Sequence, residues 1–256
     1  MLQVQALIFD VDGTLAETER DGHRIAFNQA FTAAGLDWDW STDRYGELLA
    51  VTGGKERIRH FWQQYLPEFA PTLAEGMSEK DWIAGLHKAK TSYYVKLLQE
   101  GSIALRPGVR RLLTEAREAG IRLAIATTTT PDNVTALLET ALAPDSPGWF
   151  EIIAAGDIVP AKKPAPDIYD YVLAQMQLQP AQCLAFEDSE AGLQSARQAG
   201  LTTVVTVNDY TKDQNFAEAA LVLDHLGEPD LPFRVLQGDA GDATYFNLAL
   251  ASKLLA

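Results

Sequence analysis

Short apolar runs that each stop at an acidic or hydroxyl-bearing residue are the strongest constraint on what this chain can fold into. Leu7-Ile8-Phe9 stops at Asp10, Leu123-Ala124-Ile125-Ala126 at Thr127, and Cys183-Leu184-Ala185-Phe186 at Glu187-Asp188. Phe150-Glu151-Ile152-Ile153 ends near Gly156-Asp157, Thr203-Val204-Val205-Thr206-Val207 at Asn208-Asp209, and a weaker run, Ala220-Leu221-Val222-Leu223, at Asp224. Runs of this length and composition suit strands buried on both faces. Helical patterns lie between them. Gly108 to Ala119 places Val109, Leu112, Leu113 and Ala116 on one face, and Thr130-Pro131-Asp132 reads as a helix start. Further helices are expected from Pro166-Asp167 and from Ser189 to Ala199, the last closed by Gly200.

Strand alternating with helix predicts an α/β fold, with a Rossmann-like parallel sheet as its core. One stretch breaks the rhythm. Between Thr14 and about Arg106 the patterns are helical only, over His23 to Ala34, Thr42 to Leu49, Glu56 to Tyr65 and Glu79 to Gln99. We read this as an inserted all-helical cap domain, residues 17–103, with residues 1–16 and 104–256 forming the core. Leu15-Ala16-Glu17 and Ile103-Ala104-Leu105 are the expected linkers. A chain of 256 residues, 47% of them hydrophobic, can bury a core of this kind.

The formal charge of −14 argues against nucleic acid and anionic membranes as partners. The single cysteine, Cys183, permits no internal disulfide and sits in an apolar run, as a small buried hydrophobe would. Met1 to Phe9 lacks the basic and long apolar regions of a signal peptide, and no apolar stretch is long enough to span a bilayer. A cytoplasmic location is expected. Nothing in the sequence demands assembly, so a monomer is expected too.

Ligands of open parallel sheets bind beyond the carboxyl ends of the strands, so the residues that end the runs carry the function. Asp10 and Asp12, one residue apart and followed by Gly13, form the sharpest feature. Asp10 can attack phosphorus as a carboxylate nucleophile. Asp12 can protonate the leaving alkoxide and then activate water. Thr127 can hold a phosphoryl oxygen, and Lys163, before the Pro166 helix, can neutralise developing charge. Asp188 adds a third acid, which calls for a hard divalent ion, and magnesium suits it best. Each element alone has a plain structural explanation: a turn, a strand end, a solvated lysine, a helix cap. Their occurrence together, in order, points to catalysis.

Asp10-Val11-Asp12-Gly13-Thr14, Thr127, Lys163 and Glu187-Asp188 resemble the four motifs of the haloacid dehalogenase-like phosphatases. Lys163-Pro164-Ala165-Pro166-Asp167-Ile168-Tyr169 and Phe186-Glu187-Asp188-Ser189-Glu190-Ala191-Gly192 are similar to the subgroup of sugar-phosphate phosphatases and β-phosphoglucomutase. The resemblance implies magnesium held by Asp10, the Asp12 carbonyl and Asp188, with Glu187 as a further ligand or a supporting partner. A narrower resemblance is to the CbbY-like xylulose-1,5-bisphosphate phosphatases of carbon fixation. It is carried by Leu15 to Arg24, Thr52-Gly53-Gly54-Lys55-Glu56-Arg57 and Thr127-Thr128-Thr129-Thr130-Pro131-Asp132-Asn133. It implies release of the 1-phosphate, with Thr127, Thr128, Thr129 and Lys163 among the substrate contacts.

A small phosphorylated sugar with two phosphates needs a second anion site. Gly53-Gly54 before a helix exposes N–H groups, and Lys55 and Arg57 add charge. Glu17 and His23 could contact sugar hydroxyls, although His23 could equally be a surface residue. Tyr45 reads rather as helix packing. Two other functions stay open on sequence grounds: a β-phosphoglucomutase-type mutase using the same Asp10 chemistry, and a non-catalytic phosphosugar-binding protein. The C-terminal pattern from Thr244 to Leu255 reads as a helix packing Phe246, Leu248, Leu250 and Leu254 on the core.

Overall fold

Every residue of the first strand, β1 (Ala6–Phe9), is completely buried, as expected for the centre of a sheet covered on both faces. The computed structural model describes residues 4–256; residues 1–3, where the expected core begins, lie outside the described residues. After β1 come four helices, α1 (Arg24–Ala33), α2 (Thr42–Leu48), α3 (Gly54–Tyr65) and α4 (Glu79–Gln99), then α5 (Val109–Glu118). Alternation follows: β2 (Arg122–Thr127), α6 (Pro131–Leu137), β3 (Ile152–Ala155), α7 (Asp167–Met176), β4 (Cys183–Glu187), α8 (Glu190–Gln198) and β5 (Thr202–Thr206). The chain ends with β6 (Leu221–Leu223), β7 (Val235–Gly238) and α9 (Leu248–Leu254). It divides into two compact units, Met1–Glu17 with Ala104–Ala256, and Thr18–Ile103. The expected fold class holds: a mainly parallel Rossmann-like sheet core with an inserted helical domain.

The sheet order is β3-β2-β1-β4-β5-β6-β7, parallel except for β7. The order reverses beside β1, which leaves a crevice at the carboxyl ends of β1 and β4. On one face Ala6 and Ile8 pack with Ile168, Val172 and Ala196 of α7 and α8. On the other, the Phe9 ring stacks on Phe186 at 4.5 Å, and Phe186 meets Phe246 edge-on at 5.1 Å. The helices start where local chemistry allows. Pro131 opens α6, and the Ser189 side chain accepts a hydrogen bond from the Gly192 N–H to cap α8.

Three expectations shift. β3 begins at Ile152 rather than Phe150, because a 3-10 turn over Ser146–Trp149 takes up the preceding chain and its last turn is closed by the Phe150 N–H on the Pro147 carbonyl at 3.3 Å. β7 has no counterpart among the expected strands. Its four residues are all exposed, so it shows no apolar pattern, and it exists by antiparallel pairing along β6. α9 starts at Leu248, not Thr244, because the Asn247 side chain caps it and the Phe246 N–H is bonded to the Leu226 carbonyl at 2.7 Å. Phe246, Leu248 and Leu250 are buried as expected.

The helical unit holds α1 to α4 and a π-helical turn over Glu19–His23. A unit of this size has little interior, and aromatic rings fill it because each buries much apolar area. Trp40 lies 4.6 Å from Phe27, 4.9 Å from Phe31 and 5.4 Å from Phe61, ring to ring. Ser41 caps α2, and Ser78 with Asp81 forms a reciprocal capping box at α4. Since Trp40 is completely buried, Trp40→Ala should cost about 3–5 kcal/mol, read as a fall in the urea midpoint of the transition that reports this unit.

Candidate active site

The register of the central strands builds the site. Phe9 pairs with Ile125 of β2 and with Phe186 of β4, so the next residues along, Asp10, Ala126 and Glu187, come level. The Asp10 N–H continues the ladder to the Phe186 carbonyl at 3.0 Å. The buried Lys163 ammonium bridges all three strands. Its Nζ donates to Asp10 Oδ1 at 2.7 Å, to the Ala126 carbonyl at 2.8 Å and to Glu187 Oε1 at 2.5 Å, which engages its three N–H groups.

Glu187 Oε1 also accepts from the Tyr169 hydroxyl at 2.5 Å. Glycine is required at position 192, where a Cβ would lie 2.0 Å from Glu187 Oε2. Asp188 Oδ2 accepts from Asn208 Nδ2 at 2.7 Å. Gly13 has φ +84°, and a Cβ there would come within 2.4 Å of Asp188 Oδ2, so both its backbone and its neighbour demand glycine. Oxygen atoms of Asp10, Glu187 and Asp188 lie within 4.8 Å of one another. Thr127 ends β2, buried, and its Oγ1 accepts from the Thr129 N–H at 3.3 Å. Thr128 is half-buried, and Thr129 Oγ1 accepts from Asn133 Nδ2 at 3.1 Å.

Thus Asp10, Lys163, Glu187 and Asp188 come together in the core unit, with Asp12 two residues past Asp10 and Thr127 at the end of the adjacent β2. Glu17 belongs to the same unit, with Oε1 3.0 Å from Arg106 Nε. The remaining candidates lie in the helical unit. His23 is buried rather than on the surface; its Nδ1 is 2.8 Å from Lys90 Nζ and its ring 4.1 Å from that of Tyr94. Gly53, at φ +98°, opens α3, and a Cβ on Gly54 would lie 2.5 Å from His87 Nε2. Lys55 is half-buried in the first turn. Arg57 is buried, with Nε on the Leu48 carbonyl at 3.2 Å and Nη1 on the Tyr45 hydroxyl at 2.9 Å. Tyr45 is fully buried among aromatic rings, in the packing role expected of it. Sequence reasoning passed over Tyr169, Asn208, Gly192 and Arg106. Asn208 ends the fifth apolar run, so the strand-end rule that found Asp10 and Thr127 points to it as well.

Residues 4–200 match the family model for haloacid dehalogenase-like hydrolases. The chain belongs to this family. It is 49% identical to the plasmid-borne protein CbbY of Cupriavidus necator over 229 residues, covering 90% of this chain and 88% of that one. It is 51% identical to CbbY of Rhodobacter capsulatus, covering 85% and 92%. A crystal structure of a CbbY variant from Rhodobacter sphaeroides in complex with xylulose-(1,5)bisphosphate is 45% identical, with a TM-score of 0.76 and coverage of 87% and 94%. This haloacid dehalogenase-like chain is a phosphoric monoester hydrolase.

The electrostatics of the hydrolase site are those of crowded buried acids. Burial, opposed by Lys163 and reinforced by Glu187 and Asp12, pushes the Asp10 pKa up to about 7. Burial, with Asp10 and Glu187 beside it, holds Asp188 well above the usual carboxylate range, although Arg106 and Asn208 pull the other way. Burial opposes the Lys163 charge, but the Asp10 and Glu187 carboxylates outweigh it and hold its pKa above the ordinary ammonium range. Burial and the same acids raise Tyr169 well above its normal value, so it acts as a neutral donor. Three buried carboxylates thus face one ammonium, all potential ligand atoms are oxygens, and Glu187 Oε2 is buried with no hydrogen-bond partner among the described residues. That donor set fits a hard divalent cation.

A raised folded-state pKa means that the fold favours the protonated acid, so the stability tied to Asp188 is full below about pH 4 and declines as pH rises from there toward its folded pKa. In EDTA, Asp188→Asn should therefore be more stable than the parent at pH 8.5, by roughly 1–3 kcal/mol. The margin should shrink at pH 5.5, as read from denaturant midpoints at the two pH values.

Proposed function

We propose that this hydrolase is a magnesium-dependent sugar-phosphate phosphatase that converts xylulose 1,5-bisphosphate and water to xylulose 5-phosphate and inorganic phosphate through an aspartyl-phosphate on Asp10. The observation that carries the chemistry is the Asp10 carboxylate, held by the buried Lys163 beside Asp188 and Glu187. What supports the substrate is the likeness to the CbbY variant in complex with xylulose-(1,5)bisphosphate.

In this reading Asp10, Asp188 and the Asp12 carbonyl hold the magnesium, with Glu187 as a further ligand or as the anchor of Lys163. When bound, the ion neutralises charge on the phosphoryl group and the carboxylates. Asp10 attacks phosphorus and the bond to the sugar C1 oxygen breaks. Asp12 protonates that oxygen, then removes a proton from the water that hydrolyses the aspartyl-phosphate. Lys163 neutralises charge on the phosphoryl group and the nucleophile, and Thr127, with Thr128 and Thr129, holds the reacting phosphoryl oxygens. The unit of residues 1–17 and 104–256, one residue longer at the first linker than the sequence suggests, serves as the catalytic core, and residues 18–103 as the cap that selects substrate. Gly53, Gly54 and Lys55 take the second phosphate at the start of α3, with Arg57 in the same turn. Glu17 and His23 face sugar hydroxyls. The enzyme works in the cytoplasm as a monomer, without nucleic acid or membrane partners; no helix among the described residues is long and apolar enough to cross a membrane. The likeness to CbbY proteins at 49–51% identity favours hydrolysis over the mutase reading.

A panel of sugar mono- and bisphosphates assayed for phosphate release should single out xylulose 1,5-bisphosphate, with release abolished by EDTA and restored by excess magnesium. Asp10→Asn should lower kcat about a thousandfold or more while leaving the far-UV spectrum unchanged. Full activity in that variant would rule out the covalent route, and isomerisation of glucose 1-phosphate without phosphate release would replace the phosphatase by a mutase. Lys55→Ala should raise KM for the bisphosphate about tenfold, the loss of one charge-assisted contact, and leave KM for a monophosphate within about twofold.

A further inference from the structure

Arg106 is buried immediately after the second linker, and every N–H of its guanidinium is engaged within the core unit. Nε pairs with Glu17 Oε1 at 3.0 Å. Nη1 donates to the Gly13 carbonyl and, at 2.9 Å, to the Thr206 carbonyl. Nη2 donates to the carbonyls of Val207 at 2.5 Å and Asp224 at 2.7 Å. Its own backbone N–H donates to the Leu15 carbonyl at 2.9 Å. One side chain therefore ties together the first linker, the turn after Asp12 and the ends of β5 and β6.

Two of these ties bear on the reacting groups. Gly13 follows Asp12 directly. Its N–H is held by the Ala16 carbonyl at 2.8 Å and its own carbonyl by Arg106. The Ala16 restraint reaches the Asp12 carbonyl through the peptide plane it shares with the Gly13 N–H, while Arg106 fixes the following peptide through the Gly13 carbonyl, so both peptides of the turn that Asp12 leads into are held. Thr206 and Val207 lead straight into Asn208, which holds Asp188 Oδ2, and Asp188 packs against the Gly13 Cα. Arg106 thus sets the separation between the turn carrying Asp12 and the strand end that orients Asp188. A lysine offers three N–H groups from one atom and cannot span these carbonyls.

We propose that Arg106 is a positioning residue, whose guanidinium aligns the Asp12 turn for delivery of the proton to the leaving oxygen. This rests on the reading of Asp12 as the general acid. A residue important only for stability would slow all substrates alike; one that aligns an acid would slow only those whose leaving group needs the proton. A sugar alkoxide needs it and p-nitrophenolate does not.

Single-turnover rates with enzyme in excess isolate the first chemical step and separate the two cases. In Arg106→Lys and Arg106→Gln, transfer from the sugar phosphate should slow about 30-fold or more, whereas p-nitrophenolate release from p-nitrophenyl phosphate should slow less than about threefold. In an Asp12→Ala background the Arg106→Lys change should slow the sugar phosphate by less than about twofold, because the proton it aligns is gone. Equal slowing of both substrates, no slowing, or failure of both Arg106 variants to fold by far-UV dichroism would overturn the inference. A parent enzyme that hydrolyses neither substrate would instead overturn the phosphatase reading, and this inference with it.

Discussion

Burying three carboxylates around one ammonium is the constraint on which the rest of the core unit depends. Asp10, Glu187 and Asp188 are the buried acids among the described residues, and they crowd one place. An ionised carboxylate removed from water is costly unless donors replace the lost hydration. The protein supplies those donors from separate parts of the chain. Lys163 comes from the loop before α7, Tyr169 from within α7 and Asn208 from the end of β5. Two glycines complete the arrangement by what they lack, since a side chain at Gly13 or Gly192 would occupy the space of Asp188 or Glu187. The donors restrain the acids without balancing their charge, and the remaining imbalance is what the proposed magnesium would offset.

Such an arrangement needs a rigid frame, and the apolar strands provide it. Asp10, Ala126 and Glu187 can share one lysine only because β1, β2 and β4 are adjacent, parallel and in a single register. A slip of one residue would turn Asp10 to the opposite face of the sheet and put Phe9 in its place. The Phe9–Phe186–Phe246 stack on one face and the α7 and α8 contacts on the other oppose that slip, because either shift would expose large apolar surface. The hydrophobic core therefore specifies the active-site geometry as well as stability.

The same coupling explains what could be read from the sequence and what could not. The strands, their polar ends and the helices between them follow from local patterns. So do Asp10, Thr127 and Asp188, which directly follow, end or lie next to an apolar run. Arg106 gives no such signal, since its partners lie from about 90 to about 120 residues away in the chain. β7 escaped for the opposite reason: its fully exposed residues carry no periodicity, and only the edge of β6 makes them a strand. His23 illustrates a third kind of ambiguity. Its burial depends on a ring and an ammonium presented from α4, and nothing in the residues next to it separates that from a place on the surface.

The charge distribution reconciles an acidic protein with the proposed anionic substrate. At −14 the molecule as a whole repels a bisphosphate, but at physiological ionic strength exposed charges are screened beyond about 8 Å. What a bound phosphate meets is set by nearby groups that solvent cannot screen. The buried basic side chains among the described residues are Arg57, Lys90, Arg106 and Lys163. None of them is spent on a simple exposed ion pair. Lys163 lies against the proposed nucleophile, Arg106 against the turn beside it, and Arg57 and Lys90 in the helical unit that carries Gly53, Gly54 and His23. The negative charge lies mostly on exposed carboxylates, whereas these four cations sit in the low-dielectric interior, where their fields are least screened and could offset a phosphate under the proposed function.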